Sequence, residues 1–428
     1  MCAQTRTDWR HIILIKVVCV VDVSGSMSTE ATMQNEDGKT ESHGLSLLDV
    51  VKHAVRTTIN TLGDNDRMSL VTFHSTARTA FRLIPMTRAG RARALKELDA
   101  LVPQSTTNIW DGLQTALEIV REDAAPGRAT EVLLLTDGVP NCNPPRGIVP
   151  TYAKYLQRLE GPPCIVNTFG FGYNLDTALL AELASMSDGS FCFIPDSSFV
   201  GTVFVNCLAN ILTTAAARLT INVTGRGDQI GPVIDEADNA GTAGLTFSKK
   251  GVSVRLGQLR YGHTRDIVLR MRLPDGPSRI DDLLDVTASF SPVGESSVPV
   301  TIEGAIASPA GESAESVAAV AETEVQAQRI QAVAAMRVTG GPEVARTALA
   351  ASLQRLRQSP QAGDPRLAAL LQDLVGEASM AAATEAAYTK WGRHYLPSLA
   401  FAHCRQICNN FKVRLTMHVH CRALHDCN

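Results

Sequence analysis

The sequence lacks any strong excess of charge of one sign. Its 428 residues include 40 Lys and Arg against 43 Asp and Glu, so its formal net charge is only −3. Aromatic residues make up 5% of the chain, and no basic cluster alternates with aromatics as it does on surfaces that bind nucleic acid. We therefore expect no nucleic-acid partner and no anionic membrane surface as a partner.

The chain also lacks an apolar run long enough to span a bilayer. The run from Ile12 to Val23, preceded by Arg6 and Arg10, imitates a secretory signal peptide. However, Lys16 interrupts this run, and no small-residue cleavage site follows it. We therefore predict a cytoplasmic protein that has no membrane partner.

Pairs of C-x-x-C ligands with zinc-finger or RING spacing are absent, although the chain has ten cysteines. Cys19, Cys164 and Cys192 lie in apolar runs where cysteine serves as a small hydrophobic residue, so we predict reduced thiols. Residues 412–428 are predicted to be a disordered tail. Zinc binding near this end of the chain stays open as an alternative, because metal-capable side chains are concentrated there: Cys404, Cys408, His418, His420, Cys421, His425 and Cys427.

Two common enzyme motifs are missing as well. The sequence contains no G-x-S-x-G nucleophile elbow. The tripeptide GKT at Gly38–Thr40 does not match a phosphate-binding loop, because that motif requires a glycine five residues before Gly38 and Met33 occupies this position. His74 follows the second strand and could approach Ser24 and Ser26 in space, which keeps a hydrolase as a less favoured alternative. We predict that the chain is not an enzyme.

The chain does have a regular alternation of short apolar runs and helical patterns in its first half. This order is typical of a doubly wound α/β domain with a mostly parallel sheet. From Arg218 the pattern changes to period-two runs, which indicate a small antiparallel β domain. Alanine-rich segments with helical spacing follow. The predicted organisation is an α/β domain at 12–214, an antiparallel β domain at 216–303, a linker at 304–314, a helical region at 315–411 and the tail at 412–428.

Three finer predictions accompany this organisation. The polar stretch from Ser28 to Gly44 is predicted to be a long loop at the rim of the site. The run DIVLRMRL, residues 266–273, is predicted to be a strand of the antiparallel domain. In the first C-terminal helix we expect one packed apolar stripe, formed by Val317, Val320, Ala321, Val325, Ile330 and Val333.

Small polar side chains follow the predicted strands of the first domain. Asp22, Ser24 and Ser26 follow the first strand, Thr107 precedes a helix in STTNIWDGL, and Asp137 ends the fourth strand in VLLLTDGVP. Ligands of open parallel sheets bind beyond the carboxyl ends of the strands, so we expect these residues to meet at one edge.

Carboxylate and hydroxyl oxygens are hard ligands that suit Mg²⁺, Ca²⁺ or Mn²⁺ and suit soft metals poorly. The alternate spacing of Asp22, Ser24 and Ser26 allows a turning loop to direct all three side chains to one point, and Gly25 permits a tight path. Two carboxylates balance a divalent charge, while neutral hydroxyls position the ion and leave it able to attract an acidic group. The sequence therefore predicts a divalent-metal site with an open position.

These motifs resemble the von Willebrand factor A (VWA) family with its metal-ion-dependent adhesion site (MIDAS). In that family an Asp-x-Ser-x-Ser loop, a threonine before a helix and an aspartate in a Thr-Asp-Gly turn coordinate the metal. The matching positions are Asp22, Ser24, Ser26, Thr107 and Asp137, with Thr107 preferred over Thr106 by its spacing from the helix. The resemblance implies a Rossmann-like fold and a bound Mg²⁺, with Mn²⁺ or Ca²⁺ as alternatives. It also implies a partner protein that supplies a Glu or Asp carboxylate.

The resemblance extends further along the chain. The segments VNTFGFGYNLDTALLAELASMSDGSFCFIPD and WGRHYLPSLAFAHCRQICNNF are similar to intracellular proteins that join this domain to a Vwaint segment. Some of those relatives add a RING finger, a U-box or a Hint domain. We therefore predict a metal-dependent protein-interaction module, with a substrate-recruiting component of a ubiquitin-ligase system as the alternative.

Overall fold

The computed structural model describes residues 14–34, 40–123, 127–159, 163–226, 244–248, 251–271, 284–294, 298–304, 314–338 and 340–407. These residues form two compact units. One comprises residues 15–123 and 130–212, and the other comprises residues 213–406 with 127–129. The predicted tail, and all but the two end residues of the predicted linker, lie outside the described residues.

The first unit is a six-stranded sheet flanked by helices, in the order β5-β4-β1-β6-β7-β8. The pairs β1–β4, β6–β7 and β7–β8 are parallel, and only the edge pair β4–β5 is antiparallel among the pairings described. The elements of this unit are β1 (Leu14–Asp22), β2 (Glu30–Gln34), β3 (Thr40–Ser46), α1 (Leu47–Thr61), β4 (Arg67–Phe73), β5 (Ala77–Pro85), α2 (Arg88–Asp99), α3 (Ile109–Glu122), β6 (Arg128–Thr136), α4 (Ile148–Arg158), β7 (Ile165–Phe171), α5 (Thr177–Met186), β8 (Phe191–Ile194) and α6 (Val200–Leu212).

The strand β1 lies at the centre of this sheet, and eight of its nine residues are buried. A strand covered on both faces needs a continuous apolar run, and the sequence LIKVVCVVD supplies one. Lys16 is the exception in this run. Its Nζ donates to the backbone carbonyl of Asp123 at 2.8 Å and lies 3.7 Å from that carboxylate, which satisfies the buried charge.

The stretch predicted as a loop contains a hairpin instead. The strands β2 and β3 pair antiparallel, with Glu30 opposite Ser46 and Gln34 opposite Thr40. Ser46 then caps α1 in a reciprocal arrangement, since Ser46 Oγ accepts from the Asp49 backbone and the Asp49 carboxylate accepts from the Ser46 backbone. The prediction of a loop was wrong because polar strands of this kind carry no apolar alternation.

The second unit begins with a five-stranded antiparallel sheet in the order β10-β11-β9-β12-β13. Its apolar face is built from two clusters, one around Val254 and one around Val252. Residues 266–271, predicted as part of a strand, do not belong to a strand. Ile267 and Leu269 nevertheless pack on this apolar face, which explains their strand-like spacing. The strands are β9 (Thr214–Gly225), β10 (Leu245–Ser248), β11 (Gly251–Arg260), β12 (Leu284–Pro292) and β13 (Val300–Glu303).

Helices complete the second unit. The first of them departs from the predicted stripe, since Val325 and Val333 are buried whereas Val317 and Val320 are 63% and 56% exposed. Arg265 joins the sheet to the last helix of this unit, because its guanidinium donates to the carbonyls of Leu256 and Arg405. The helices are α7 (Ala314–Met336), α8 (Pro342–Gln358), α9 (Pro365–Asp373) and α10 (Arg393–Arg405), with short helical turns between α9 and α10 at Leu374–Ala378, Ser379–Ala381, Glu385–Ala387 and Tyr388–Gly392.

The predicted fold class is confirmed: a mostly parallel sheet with flanking helices is followed by an antiparallel sheet and C-terminal helices. Among the described helices, none combines the length and the hydropathy that crossing a membrane requires.

Gly112 allows α3 to pack closely on β4. A Cβ at this position would lie 2.7 Å from Cδ1 of Phe73, a ring that is fully buried. We expect Gly112→Ala to lower the free energy of unfolding by about 1–3 kcal/mol through overpacking. The control is Gly201→Ala in α6, where a Cβ would meet no atom within 4 Å. Thermal unfolding of both variants checks this, and an equal stability of the two would contradict the close packing.

Candidate metal centre

The candidate site lies where the direction of winding changes in the parallel sheet. The strand β1 is flanked by β4 on one side and β6 on the other, so the loops that follow β1 and β6 leave the same edge beside each other. This position is the usual binding crevice of doubly wound sheets. Asp22 is the last residue of β1, and Asp137 directly follows β6.

Asp22 is fully buried and held by hydrogen bonds to both carboxylate oxygens. The backbone N–H of Ser24 donates to Oδ1 at 2.8 Å, and Thr136 Oγ1 donates to Oδ2 at 2.5 Å. Because Thr136 is the last residue of β6, this bond ties the ends of the two neighbouring strands together. The carboxylate is therefore fixed before any ligand arrives.

A chain of hydroxyls connects this loop to Asp137. Ser24 Oγ lies 3.0 Å from Ser26 Oγ, and Ser26 Oγ donates to Asp137 Oδ1 at 2.8 Å. Ser24 and Asp137 are buried, whereas Ser26 is exposed. The structure thus brings four of the five predicted residues into one hydrogen-bonded group.

Thr107 is the fifth predicted residue, and it lies beside the same group. A Cβ at Gly138 would be 3.6 Å from Ser26 Oγ and 3.8 Å from Thr107 Oγ1, which places both hydroxyls around this glycine. Thr107 is 4% exposed, and its backbone is held by Asn141. Among the described residues of this segment, the fully buried hydroxyl that lacks a hydrogen-bond partner is Oγ1 of the neighbouring Thr106. Such a group is costly unless a ligand satisfies it.

Backbone hydrogen bonds hold the loops of the site together. The Gln104 N–H donates to the Val23 carbonyl at 2.6 Å, and the Gly25 N–H donates to the Ser105 carbonyl at 3.4 Å. A Cβ at Gly25 would lie 3.0 Å from the Gln104 carbonyl oxygen. Glycine therefore favours the close approach of these two loops, since a larger residue would force them to shift.

The two carboxylates destabilise each other's charged form. Burial, and then the charge of Asp22, raises the pKa of Asp137 to about 7, against the hydrogen bond from Ser26. Burial also raises the pKa of Asp22, although the bonds from Thr136 and Ser24 act in the opposite direction. Two carboxylates this close favour either a proton or a cation between them.

The donor set fits a hard divalent cation. It offers two carboxylates and three hydroxyls, all of them oxygen ligands of the kind that Mg²⁺, Mn²⁺ and Ca²⁺ accept. No cluster of three or more His, Cys, Asp or Glu side chains suited to a metal occurs among the described residues. A site in this part of the chain would therefore depend on its hydroxyls as well as its two carboxylates.

Sequence reasoning missed two residues that position the site. Thr136 orients Asp22, and the only signal was its place before Asp137 in the Thr-Asp-Gly turn. Asn141 holds Thr107, because its Oδ1 accepts from the Thr107 N–H at 2.9 Å and its own N–H donates to the Thr107 carbonyl at 3.1 Å. An asparagine four residues after Asp137 carries no distinctive signal in a single sequence.

The structure offers no support for a serine hydrolase at this site. His74 Nδ1 is bonded to Ser75 Oγ at 3.0 Å, while the Ser24 and Ser26 hydroxyls bond to each other and to Asp137. Among the described residues, no hydrogen bond connects His74 to either serine. A hydrolase requires such a contact between nucleophile and base.

The six cysteines in the described residues are free thiols: Cys19, Cys142, Cys164, Cys192, Cys207 and Cys404. Cys19 lies inside β1, where burial raises the pKa of its thiol to about 12 and keeps it protonated. The other tail residues considered for zinc, including Cys408 and His418, lie outside the described residues.

Two family models match this chain. Residues 17–139 match the von Willebrand factor type A domain, and residues 364–418 match Vwaint, described as VWA / Hh protein intein-like. Together with the fold, these matches support the family resemblance seen in the sequence.

Curated relatives include two proteins of Arabidopsis thaliana. The E3 ubiquitin-protein ligase WAV3 is 26% identical over 287 residues, which cover 64% of this chain and 33% of WAV3. The probable E3 ubiquitin-protein ligase WAVH2 is 33% identical over 255 residues, covering 58% of this chain and 34% of that protein. The chain thus spans about a third of the length of these relatives.

Solved structures agree with the fold along most of the chain. A von Willebrand factor type A protein from Catenulispora acidiphila is similar with a TM-score of 0.60 at 15% identity, covering 93% of this chain and 90% of that one. The ArnB paralog VWA2 from Sulfolobus acidocaldarius is similar with a TM-score of 0.50 at 14% identity, covering 92% and 90%. At these identities the likeness shows the fold alone.

In metal-free protein, the raised pKa of Asp137 predicts that replacing this residue with a neutral one increases stability. The size of the increase depends on pH. The folded protein holds the proton up to about pH 7, whereas the unfolded chain loses it near pH 4. Ionisation of Asp137 therefore lowers the free energy of unfolding progressively as the pH rises from about 4 to about 7. Above about pH 7 this loss of stability stays constant. We expect Asp137→Asn to raise the free energy of unfolding at pH 8 by about 1–4 kcal/mol, and by much less at pH 5.

Denaturant unfolding at both pH values, without metal, measures this difference. Asp64→Asn, which changes an exposed carboxylate paired with Arg91, is the control and should show no comparable gain at pH 8. A loss of stability for Asp137→Asn at pH 8 would contradict the electrostatic description of the site.

Proposed function

We propose that this chain, which joins a von Willebrand factor type A domain to a Vwaint segment, binds an acidic group of a partner protein through a divalent metal held by the VWA domain. The proposal fits the sequence expectation of a cytoplasmic interaction protein, and the free thiols of the described cysteines agree with that compartment. Asp22, Ser24, Ser26, Thr107 and Asp137 would hold the metal, and Mg²⁺ is the proposed ion, with Mn²⁺ or Ca²⁺ as alternatives.

The observation that carries this proposal is the convergence of two carboxylates and three hydroxyls at one edge of the sheet, where Thr107 lies beside the hydrogen-bonded group of Ser24, Ser26 and Asp137. Each carboxylate oxygen has two lone pairs, so the bonds that hold Asp22 leave it able to accept a cation. A divalent ion would relieve the repulsion between Asp22 and Asp137 and would satisfy Thr107. The same ligands therefore gain from an ion in two ways.

The charge balance explains why an acidic group would bind. Two carboxylates match the charge of a divalent ion, and the three hydroxyls add no further negative charge. Mg²⁺ takes six oxygen ligands, so five protein groups leave a position for a ligand from outside. A carboxylate of a partner protein is a hard oxygen ligand that suits this position.

The metal-binding part is tested by calorimetric titration of Mg²⁺ and Mn²⁺ into the purified protein. We expect binding by the wild type, loss of binding in Asp137→Asn, and a weakening of about 10–100-fold in Thr136→Val, which removes the hydroxyl that orients Asp22. Circular dichroism confirms that the variants are folded.

Asp64→Asn is the matched control for this titration, since it removes one carboxylate elsewhere on the same domain. It should bind as the wild type does. Binding that survives in Asp137→Asn, or no binding by the wild type at millimolar concentrations of either ion, would contradict the proposal.

A second proposal is that the chain recruits substrates in a ubiquitin-ligase system. The observation that favours it is the similarity to two plant proteins named as ubiquitin ligases, over overlaps longer than the VWA match at 17–139. The sequence contains no RING-type pair of C-x-x-C ligands, so the catalytic domain would come from another chain or from a part of the protein outside this sequence.

This second proposal is tested with purified ubiquitin, its activating and conjugating enzymes, and complexes captured on this protein in Mg²⁺ or in chelator. We expect ubiquitin conjugates with complexes captured in Mg²⁺ and none with the purified chain alone. Conjugates formed by the chain alone would identify it as a ligase itself. Captured complexes without ligase activity would contradict the connection to ubiquitin.

A further inference from the structure

A cleft of about 200 Å³ lies directly beside the candidate metal site, within the same unit. Ser26 and Asp137 of the candidate metal site belong to its lining. The other walls come from the start of the β2–β3 hairpin, the first turn of α1, and the segments that follow β7 and β8. The cleft and the metal site are thus continuous along one edge of the sheet.

The apolar part of the cleft lining, its floor, consists largely of buried side chains. Val50, Phe171 and Ile194 line it and are buried, with Leu47 partly exposed at its side. Tyr173 forms part of the wall, and its ring makes an edge contact with Phe193 at a centroid distance of 5.9 Å. This surface offers packing to an aliphatic chain and the face or edge of one aromatic ring.

The charge of the cleft is negative. Glu30 and Asp196 line it in addition to Asp137, and no Lys or Arg is among the described residues of the lining. Asp196 is held in place because its Oδ1 accepts hydrogen bonds from the N–H and Oγ of Ser198 at 2.9 and 2.5 Å. The carboxylates of Glu30 and Asp196 therefore add to the negative charge of Asp22 and Asp137, and they favour a cationic group in the cleft.

The size of the cleft restricts its occupant. Sites for cofactors and drug-sized molecules usually measure about 300–1,000 Å³, which is larger than this cleft. A volume of about 200 Å³ suits one long side chain of a partner. Lys and Arg combine an apolar stem with a cationic head, which matches an apolar floor with acidic walls. Tyr173 adds an aromatic ring on which such a cation can lie.

We propose that this cleft receives a lysine or arginine side chain from the same partner segment whose carboxylate binds at the metal site. The preferred partner is then a segment in which an acidic residue lies near a basic one. This inference rests on the proposed function, because it assumes that the carboxylate is bound through the metal. It adds specificity that the metal site alone cannot supply, since any exposed Asp or Glu could reach an open ion.

Short synthetic peptides test this inference on the full chain. Each peptide has a single central Asp, and one neighbouring position at a time is changed to Lys, Arg, Leu, Ala or Glu. Binding is measured by fluorescence anisotropy in Mg²⁺ and in chelator. We expect Lys or Arg at one position to strengthen Mg²⁺-dependent binding about three- to tenfold over Ala, and Glu there to weaken it.

The double variant Glu30→Gln with Asp196→Asn removes the two wall charges while the Asn can still cap the turn at Ser198. It should lose the gain of Lys or Arg over Ala, and it should still bind the Ala peptide in Mg²⁺ but not in chelator. The control is Asp64→Asn with Glu97→Gln, which removes two carboxylates from other parts of the domain and should keep the full gain.

The outcomes separate this inference from the proposed function. Mg²⁺-dependent binding with equal affinity for Lys, Ala and Glu peptides would overturn the cleft assignment and leave the metal-dependent function standing. A preference for Lys that persists in chelator and disappears in the double variant would support the cleft and contradict the metal dependence. No binding of any peptide at millimolar concentration would overturn both.

Discussion

Two carboxylates of the same charge are held close together at the edge of a buried sheet, and the structure of the first unit depends on that arrangement. Asp22 cannot move away from Asp137, because Thr136 and the Ser24 backbone hold its two oxygens. Burial strengthens their repulsion, since few water molecules screen it. The central strand β1, with its continuous apolar sequence, keeps Asp22 in place despite this cost. The rigid core of the sheet therefore supports a local arrangement that would not be stable on a flexible loop.

The remaining parts of the site restrict the geometry further. Gly25 lets the loop after β1 touch the segment before α3, and Asn141 ties that segment to the loop after β6. Three loops from different parts of the chain are thus joined by backbone hydrogen bonds. Pre-organisation of this kind removes most of the ordering cost that a ligand would otherwise meet. The hydroxyl of Thr107 lies beside these loops, close to Gly138.

The sequence predicted the parallel sheet and the convergence of the five side chains, because both follow from strands that end in polar residues. Features without an apolar pattern were harder to predict. The β2–β3 hairpin is polar and was taken for a loop. Val317 and Val320 follow helical spacing as well as Val325 does, yet only the last is buried. Spacing shows which side chains share a face of a helix, but it does not show how much of that face a neighbouring element covers.

Positioning residues were missed for a related reason. Thr136 acts through the side chain of Asp22 on a neighbouring strand, and such a contact between residues 114 positions apart depends on the order of the strands. The order β4-β1-β6 was not part of the sequence prediction. Candidate ligands can be found from the ends of predicted strands, whereas the groups that orient them require the sheet topology.

A bound ion would change which charged groups the edge of the parallel sheet attracts. Without metal, the edge carries Asp22, Asp137, Glu30 and Asp196, and it repels an acidic partner. A divalent ion would balance the charges of Asp22 and Asp137 and offer an open coordination position to a carboxylate, while the acidic walls of the cleft would stay negative. The edge would then attract opposite charges at two adjacent places. Because a bound ion is the largest local charge in such a site, its presence would decide the sign of the interaction as well as its strength.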